Sequence, residues 1–252
     1  MIKKYTVIIF LCLGITPIVN GQIAAQQMPS VLVELFSSEG CSSCTQADQF
    51  LYELIKIADS TQSPVYCLDY HVDIWNRSGW VDKFSDTSFS RRQREYMVKT
   101  KQDAMFTPMV FVNGGGALPG AAKKEIGKLI GQEMSKNPQT VLVTRAGYIA
   151  QTNTLVVNYE IEGNTVDCSL HLVLAYKEIA SEITAGENAG KNLIHHQTAK
   201  QWKEVAIDST LKGSVQLQLP NDVPLGNLML ISFVQHIPTW KVFATDQLSF
   251  RK

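Results

Sequence analysis

The chain has 252 residues, with 23 lysines and arginines against 23 aspartates and glutamates, so no net charge draws it to nucleic acid or to an anionic membrane surface. Its length suits two modest domains, and five cysteines are too few to staple a small disulfide-dense fold.

The first segment reads as a leader. Lys3 and Lys4 precede an uncharged apolar run from Tyr5 to Val19, interrupted by Pro17 and relaxing into Asn20-Gly21-Gln22. A membrane helix needs roughly 20 apolar residues, more than this run supplies. Residues 1–21 are therefore expected to be a cleaved signal peptide that leaves no membrane anchor, and the mature protein is expected to be periplasmic or secreted. Cys12 leaves with the leader, and Cys41, Cys44, Cys67 and Cys168 remain.

Val31 to Phe36 is an apolar run with one acid, Glu34, inside it, the pattern of a buried central strand. A turn from Ser37 to Gly40 leads into Cys41-Ser42-Ser43-Cys44. Ala47, Phe50, Leu51, Leu54, Ile55 and Ala58 then recur at helical spacing, which places Cys41 at a helix N-terminus. Pro64 opens a second strand, Val65 to Val72. Ser88 to Lys101 is polar and helix-compatible. Thr107 to Gly114 reads as a strand that begins through Pro108 and ends on an Asn-Gly turn, and Ala121 to Met134 as a closing helix. This order implies a mixed sheet covered by helices.

Near Asn137-Pro138 the periodicity changes. Val141 to Ala150 and Leu155 to Ile161 are expected to form a hairpin, and Ser169 to Tyr176, Ser214 to Leu219, Leu228 to His236 and Lys241 to Thr245 read as strands. Short strands with turns between them read as an antiparallel β-sandwich. Ser181 to Trp202, with Gly186, Gly190, His195 and His196, reads as a long loop with a helical turn.

A thiol reacts as its thiolate, and a helix N-terminus stabilises negative charge. Cys41 is accordingly the expected exposed nucleophile, and Cys44, one turn further in, the resolver that closes a Cys41–Cys44 disulfide. Half a zinc site and a permanent structural disulfide are the competing readings; no second CxxC or close Cys-His pair completes the first, and a bond across so tight a loop restrains little of the unfolded chain. Pro108 is a candidate cis proline that turns the backbone of Thr107 toward the cysteines. Glu34, in an apolar strand, should be desolvated with a raised pKa and able to shuttle the proton of Cys44. An edge position facing water is its alternative.

VLVELFSSEGCSSC, residues 31–44, and the later TPMVFVNG resemble thioredoxin-like domains. YHVDIWNRSGWVDKFSDTSFSRRQREY, residues 70–96, and GENAGKNLIHH, residues 186–196, resemble the exported domain-of-unknown-function family 1223. The resemblance implies an α/β fold class, with a thioredoxin-like domain over residues 29–137 and a small β-sandwich over 138–252. It also implies Cys41 as nucleophile, Cys44 as resolver, Pro108 as the cis proline and Glu34 as the buried acid.

The stretch after the second strand carries His71, Asp73, Trp75, Arg77, Trp80, Asp82 and Phe84. At the strand ends of an open sheet ligands usually bind, so His71, Asp73, Trp75 and Trp80, with Thr107, are expected to face substrate. Cys67 reads as a buried thiol, and His195-His196 as polar surface, with metal binding alongside His71 or the thiols as the alternative. The expected function is thiol-disulfide exchange with exported proteins or small thiols through mixed disulfides, with no cofactor and no resident metal. A soft-metal (copper) carrier in which Cys41 and Cys44 hold the ion, with His71 as a further ligand and Met105 and Met109 nearby, and a non-catalytic binding module are the alternatives.

Overall fold

The computed structural model describes residues 28–250, so the expected leader lies outside the described residues. The apolar run becomes strand β1, Val31–Ser37, buried along its whole length. It pairs in parallel with β2, Val65–His71, and antiparallel with β3, Met109–Val112, which pairs in turn with the short β4, Leu118–Pro119. Alternation along these strands sorts the side chains between two faces. Val31, Val33, Leu35, Cys67, Val110 and Val112 pack under two helices, α1 (Cys44–Thr61) and α3 (Lys123–Met134). Leu32, Phe36, Leu68, Tyr70, Met109 and Phe111 meet α2, Thr87–Thr100, through Phe89, Tyr96 and Met97. The α2 helix begins where the Asp86 carboxylate accepts the Ser88 amide at 2.7 Å.

Beyond α3 the chain forms β5 (Thr140–Ile149), β6 (Thr154–Gly163), β7 (Cys168–Glu182), β8 (Asn192–Ala206), β9 (Lys212–Gln218), β10 (Leu228–His236) and β11 (Val242–Ser249). Here the expected architecture is overturned. The chain is mostly β, 42% strand against 24% helix, and its larger sheet is mixed and eight-stranded. The order in that sheet is β11-β10-β7-β8-β2-β1-β3-β4, and β5-β6-β9 make a second sheet of three strands. A thioredoxin-like α/β unit with a separate small β-sandwich is therefore not the fold. Strands from both halves share one sheet, joined where β8 runs parallel to β2 at Asp69 and Thr198.

The stretch expected to be a loop supplies that junction. β7 and β8 form a long antiparallel hairpin paired from Ser169–Ala206 out to Glu182–Asn192. The inward residues of β8 at the junction are His195, Gln197, Thr198 and Ala199. Being polar or small, they hide the strand period from a hydrophobicity reading.

Leu170, Leu172, Leu174, Leu228, Leu230 and Val234 face the three-stranded sheet, whose Leu155, Val157, Ile161, Val215 and Leu217 complete that core. Val173, Ala175, Met229, Ile231 and Phe233 point the other way and continue the core beneath α2. Gly114 fixes how the β3 turn meets the β10–β11 loop. Its φ is +68°, and a Cβ there would lie 1.9 Å from the carbonyl oxygen of Trp240, so no side chain fits.

Candidate functional site

The turn after β1 brings the two cysteines together. The Cys41 amide donates to the Ser38 carbonyl at 3.1 Å, and the Cys44 amide to the Cys41 carbonyl at 3.2 Å. Cys44 is the first residue of α1, so Cys41 lies one turn ahead of the helix. The pair is closed as a disulfide. Cys41 is only 2% exposed and Cys44 1%, so neither sulfur presents the open face expected of Cys41.

Part of the cover is the loop between β7 and β8. Its Asn188, wholly buried, donates to the carbonyls of Glu39 at 2.8 Å and Cys41 at 3.2 Å. The Ser42 amide donates to Glu187 Oε2 at 3.0 Å, and Lys191 Nζ to Asn188 Oδ1 at 2.8 Å. On another side, Cys41 Sγ lies 3.8 Å from the Thr107 carbonyl oxygen. The Thr107–Pro108 peptide bond is cis. Trp75 Nε1 donates to Thr107 Oγ1 at 2.6 Å, which ties the segment after β2 to this corner.

A recess of about 250 Å³ opens beside it, lined by Ser43, Gln46, Phe106, Thr107, Pro108 and Lys123 among others. Gly120 closes its floor, since a Cβ there would stand 2.7 Å from Ala47 Cβ and 2.9 Å from Pro108 Cγ. A larger recess, about 520 Å³, is lined by Asn113, Glu133, Lys136 and Phe243, and its described lining has no cysteine or histidine. Of the two, the smaller borders Ser43, Thr107 and Pro108.

Glu34 is not brought to the cysteines. It faces the α2 side of β1, where it accepts from Arg92 Nε at 2.8 Å and from the Tyr96 hydroxyl. Arg92 is fully buried, donates to Gln235 Oε1 at 3.1 Å, and lies over the rings of Tyr96 and Phe233 at 4.9 and 5.0 Å. Glu39, two residues before Cys41 and 1% exposed, is a buried acid of the cysteine turn that the sequence reading missed.

Glu39 belongs to a buried polar cluster on the α1 side of the sheet. His71, expected to meet substrate, is fully buried between two carboxylates: Nε2 lies 3.0 Å from Asp69 Oδ2 and Nδ1 2.7 Å from Asp82 Oδ2. Burial alone would lower the His71 pKa, but the charges of Asp82 and Asp69 hold it well above the ordinary value. Asp82 answers in the opposite sense. Burial would raise it, yet the His71 charge and hydrogen bond bring it to about 2.

Ser37 Oγ donates to Asp69 Oδ1 at 2.6 Å, and Trp80 Nε1 to Glu39 Oε2 at 2.7 Å. His195, expected at the surface, is 1% exposed and stands edge-on to His71 at 4.6 Å between ring centroids. His196 stacks on Tyr52 of α1 at 3.9 Å. Asp73 is half-buried and accepts from Ser90 Oγ. Trp75 and Trp80 are also half-buried, each with its indole N–H committed inward.

Among the described residues the other two cysteines, Cys67 and Cys168, are buried free thiols. Burial pushes Cys67 up to about 12 and Cys168 up to about 11, each helped by a nearby aspartate. Met109 is fully buried, its sulfur facing Gln93 Nε2 at 3.7 Å.

The model of the family described as "Protein of unknown function (DUF1223)" matches residues 32–235. The chain belongs to that family. The match spans the cysteine turn, the His71 segment and the Asn188 loop, so the corner described above lies within the DUF1223 region. A structural-genomics target from Agrobacterium tumefaciens superposes with a TM-score of 0.67 at 21% identity, covering 89% of this chain and 96% of its own, which shows the shared fold alone. A domain of the outer membrane lipoprotein Omp28 from Porphyromonas gingivalis reaches a TM-score of 0.25 at 16% identity, over 45% of this chain and 96% of its own, too little for any argument. No curated protein matches the chain.

Proposed function

We propose that this DUF1223 protein carries out thiol-disulfide exchange through Cys41 and Cys44, acting on exported proteins or small thiols. The supporting observation is the closed Cys41–Cys44 pair against the Thr107 carbonyl, with a recess at Pro108 beside it. A leader-like run and a disulfide both suit an oxidising compartment, which supports an exported location.

In the reduced protein, the Cys41 thiolate attacks one sulfur of a partner disulfide. The partner's other sulfur leaves as a thiolate and takes a proton. The Cys44 thiolate then attacks Cys41 Sγ, closes the pair and frees the partner's second thiol. Two electrons and two protons pass to the partner, and the reverse direction uses the same groups. In this reading an extended partner segment rests against the Thr107 backbone and in the Pro108 recess. Cover by the Asn188 loop means that a partner must displace it first.

Cys44→Ala is expected to hold partners as mixed disulfides at Cys41, and Cys41→Ala to hold none. Equal silence from both folded variants, with a pair that resists reduction by dithiothreitol, would remove the exchange reading.

A further inference from the structure

We propose that the Asp69–His71–His195 cluster behind the disulfide binds one divalent first-row transition ion, zinc foremost, through nitrogen and oxygen and without the cysteines. This goes beyond the exchange reading and does not depend on it.

One ligand atom from each of these three buried residues lies within 4.8 Å of the other two, and His71 Nε2 is already 3.0 Å from Asp69 Oδ2. A tetrahedral zinc ion with ligands at about 2.0–2.2 Å sets them roughly 3.3 Å apart. The His71–Asp69 side is already close to that spacing, and His195 lies within reach of both.

The outward atoms of the cluster are committed. Asp69 Oδ1 accepts from Ser37, and His71 Nδ1 faces Asp82 at 2.7 Å. Asp82 is held in turn by the amides of Glu39 at 2.8 Å and Phe84 at 2.9 Å. A metal-bound histidine characteristically gives its second nitrogen to a carboxylate that is itself held. Asp82 stands in that position behind His71.

The inward atoms are the ones left over. Both ring nitrogens of His195, together with Glu39 Oε1 and Asp48 Oδ1, have no hydrogen-bond partner among the described residues. His195 lies 3.4 Å from Glu39 Oε1 and 3.2 Å from Asp48 Oδ2, close enough for charge but misaligned for hydrogen bonds. Buried polar atoms in folded proteins are nearly always paired, and His195, at 1% exposure, has these two charge contacts but no aligned hydrogen bond. The carboxylates of Glu39, Asp48, Asp69 and Asp82 stand around the two rings. Imidazole and carboxylate suit zinc and its first-row neighbours, whereas Cu(I) prefers sulfur. The site would join β2 and β8 at their junction, directly behind the turn that carries Cys41.

The test uses the full-length protein stripped with chelator, as wild type and as Cys41→Ser/Cys44→Ser. Both are titrated with Co(II) by absorption and with Zn(II) by calorimetry. Both should bind one equivalent, with visible cobalt bands, no near-ultraviolet thiolate band, and a higher melting temperature with zinc. Ser37→Ala, which only frees Asp69, should weaken binding by roughly 10-fold, and His195→Ala by at least roughly 100-fold. If His195→Ala does not fold, Ser37→Ala carries the comparison. A folded wild type that takes up no ion overturns the proposal, leaving the cluster balanced by protons. Binding that brings a thiolate band and vanishes in the cysteine variant also overturns it and assigns the ion to the CxxC.

Discussion

The amide of Asn188 donates to the carbonyl oxygen of Cys41 at 3.2 Å, reaching it from a hairpin tip 147 positions away in sequence. With a second bond to Glu39 at 2.8 Å, this side chain straps the β7–β8 loop across the cysteine turn. The disulfide is thus covered by an element that can open without unfolding the sheet, since loops lie at the low-stability end of a fold.

Asn188→Ala should therefore speed reduction of Cys41–Cys44 by a small reductant. Each hydrogen bond contributes about 1 kcal/mol, and losing both should raise the rate by roughly 30-fold if opening limits access. Stopped-flow reduction with a phosphine, compared with Glu187→Ala, checks this. An unchanged rate in the folded variant would mean that the loop does not gate the sulfurs.

The Glu34–Arg92 pair is wholly buried, with Arg92 also held by Gln235 on β10. Arg92→Leu leaves a carboxylate without its partner and should cost about 3–5 kcal/mol. Adding Glu34→Leu should recover part of that loss, because the charge then disappears with its partner. Urea melts of the two variants decide the matter, and a larger loss in the double variant would rule out the pair as the cause.

How much of this was legible in the sequence depended on period. β1, α1, α3 and the β5–β6 hairpin show clear apolar spacing, and each forms close to its expected bounds. Arg92 carried a usable signal: Phe89, Gln93 and Tyr96 share its helix face and all are buried. The face of Glu34 followed from alternation with Leu32 and Phe36, once α2 was known to cover that side. β8 was hidden because polar and small residues occupy its buried face. The join of the two halves had no pattern at all, since it is made at Asp69 and Thr198. Glu39 and His195 were missed for a related reason. Their burial comes from contacts distant in sequence, which local patterning does not register.

His171 offers a pH dependence. It is buried on β7, accepts from Trp202 Nε1 at 2.9 Å, and stacks on Phe233 at 4.7 Å. Burial, and after it the Arg92 charge, hold its pKa well below the ordinary value. Its pairing partner on β8 is Glu204, and Glu95 lines the same small cleft. The unfolded chain binds a proton near pH 6.5 that the folded chain refuses. The associated stability is present above that pH and is lost as pH falls toward the folded value. His171→Gln should flatten the slope of unfolding free energy between about pH 5 and 6.5. An equal slope in wild type and variant would assign the acid sensitivity elsewhere.

The shared sheet predicts how the protein unfolds. Leu68 and Tyr70 on β2 lie in one core with Val173 and Ala175 on β7 and Phe233 on β10. Arg92 on α2 reaches across to Gln235, and the Asn113 carbonyl accepts the Val242 amide at 3.1 Å. A fragment of residues 29–137 would expose the outer edge of β2, half of that core and the unpaired side of Arg92. Burying apolar area contributes about 25 cal/mol per Å², so a core split between two pieces leaves each short of what offsets chain entropy. The full chain should therefore melt in one calorimetric transition with matching calorimetric and van't Hoff enthalpies. The 29–137 fragment should show poor chemical-shift dispersion and rapid amide exchange. Two resolved transitions, or a fragment with native-like dispersion, would mean that the cysteine-bearing half folds alone and that the β2–β8 junction is only a docking contact.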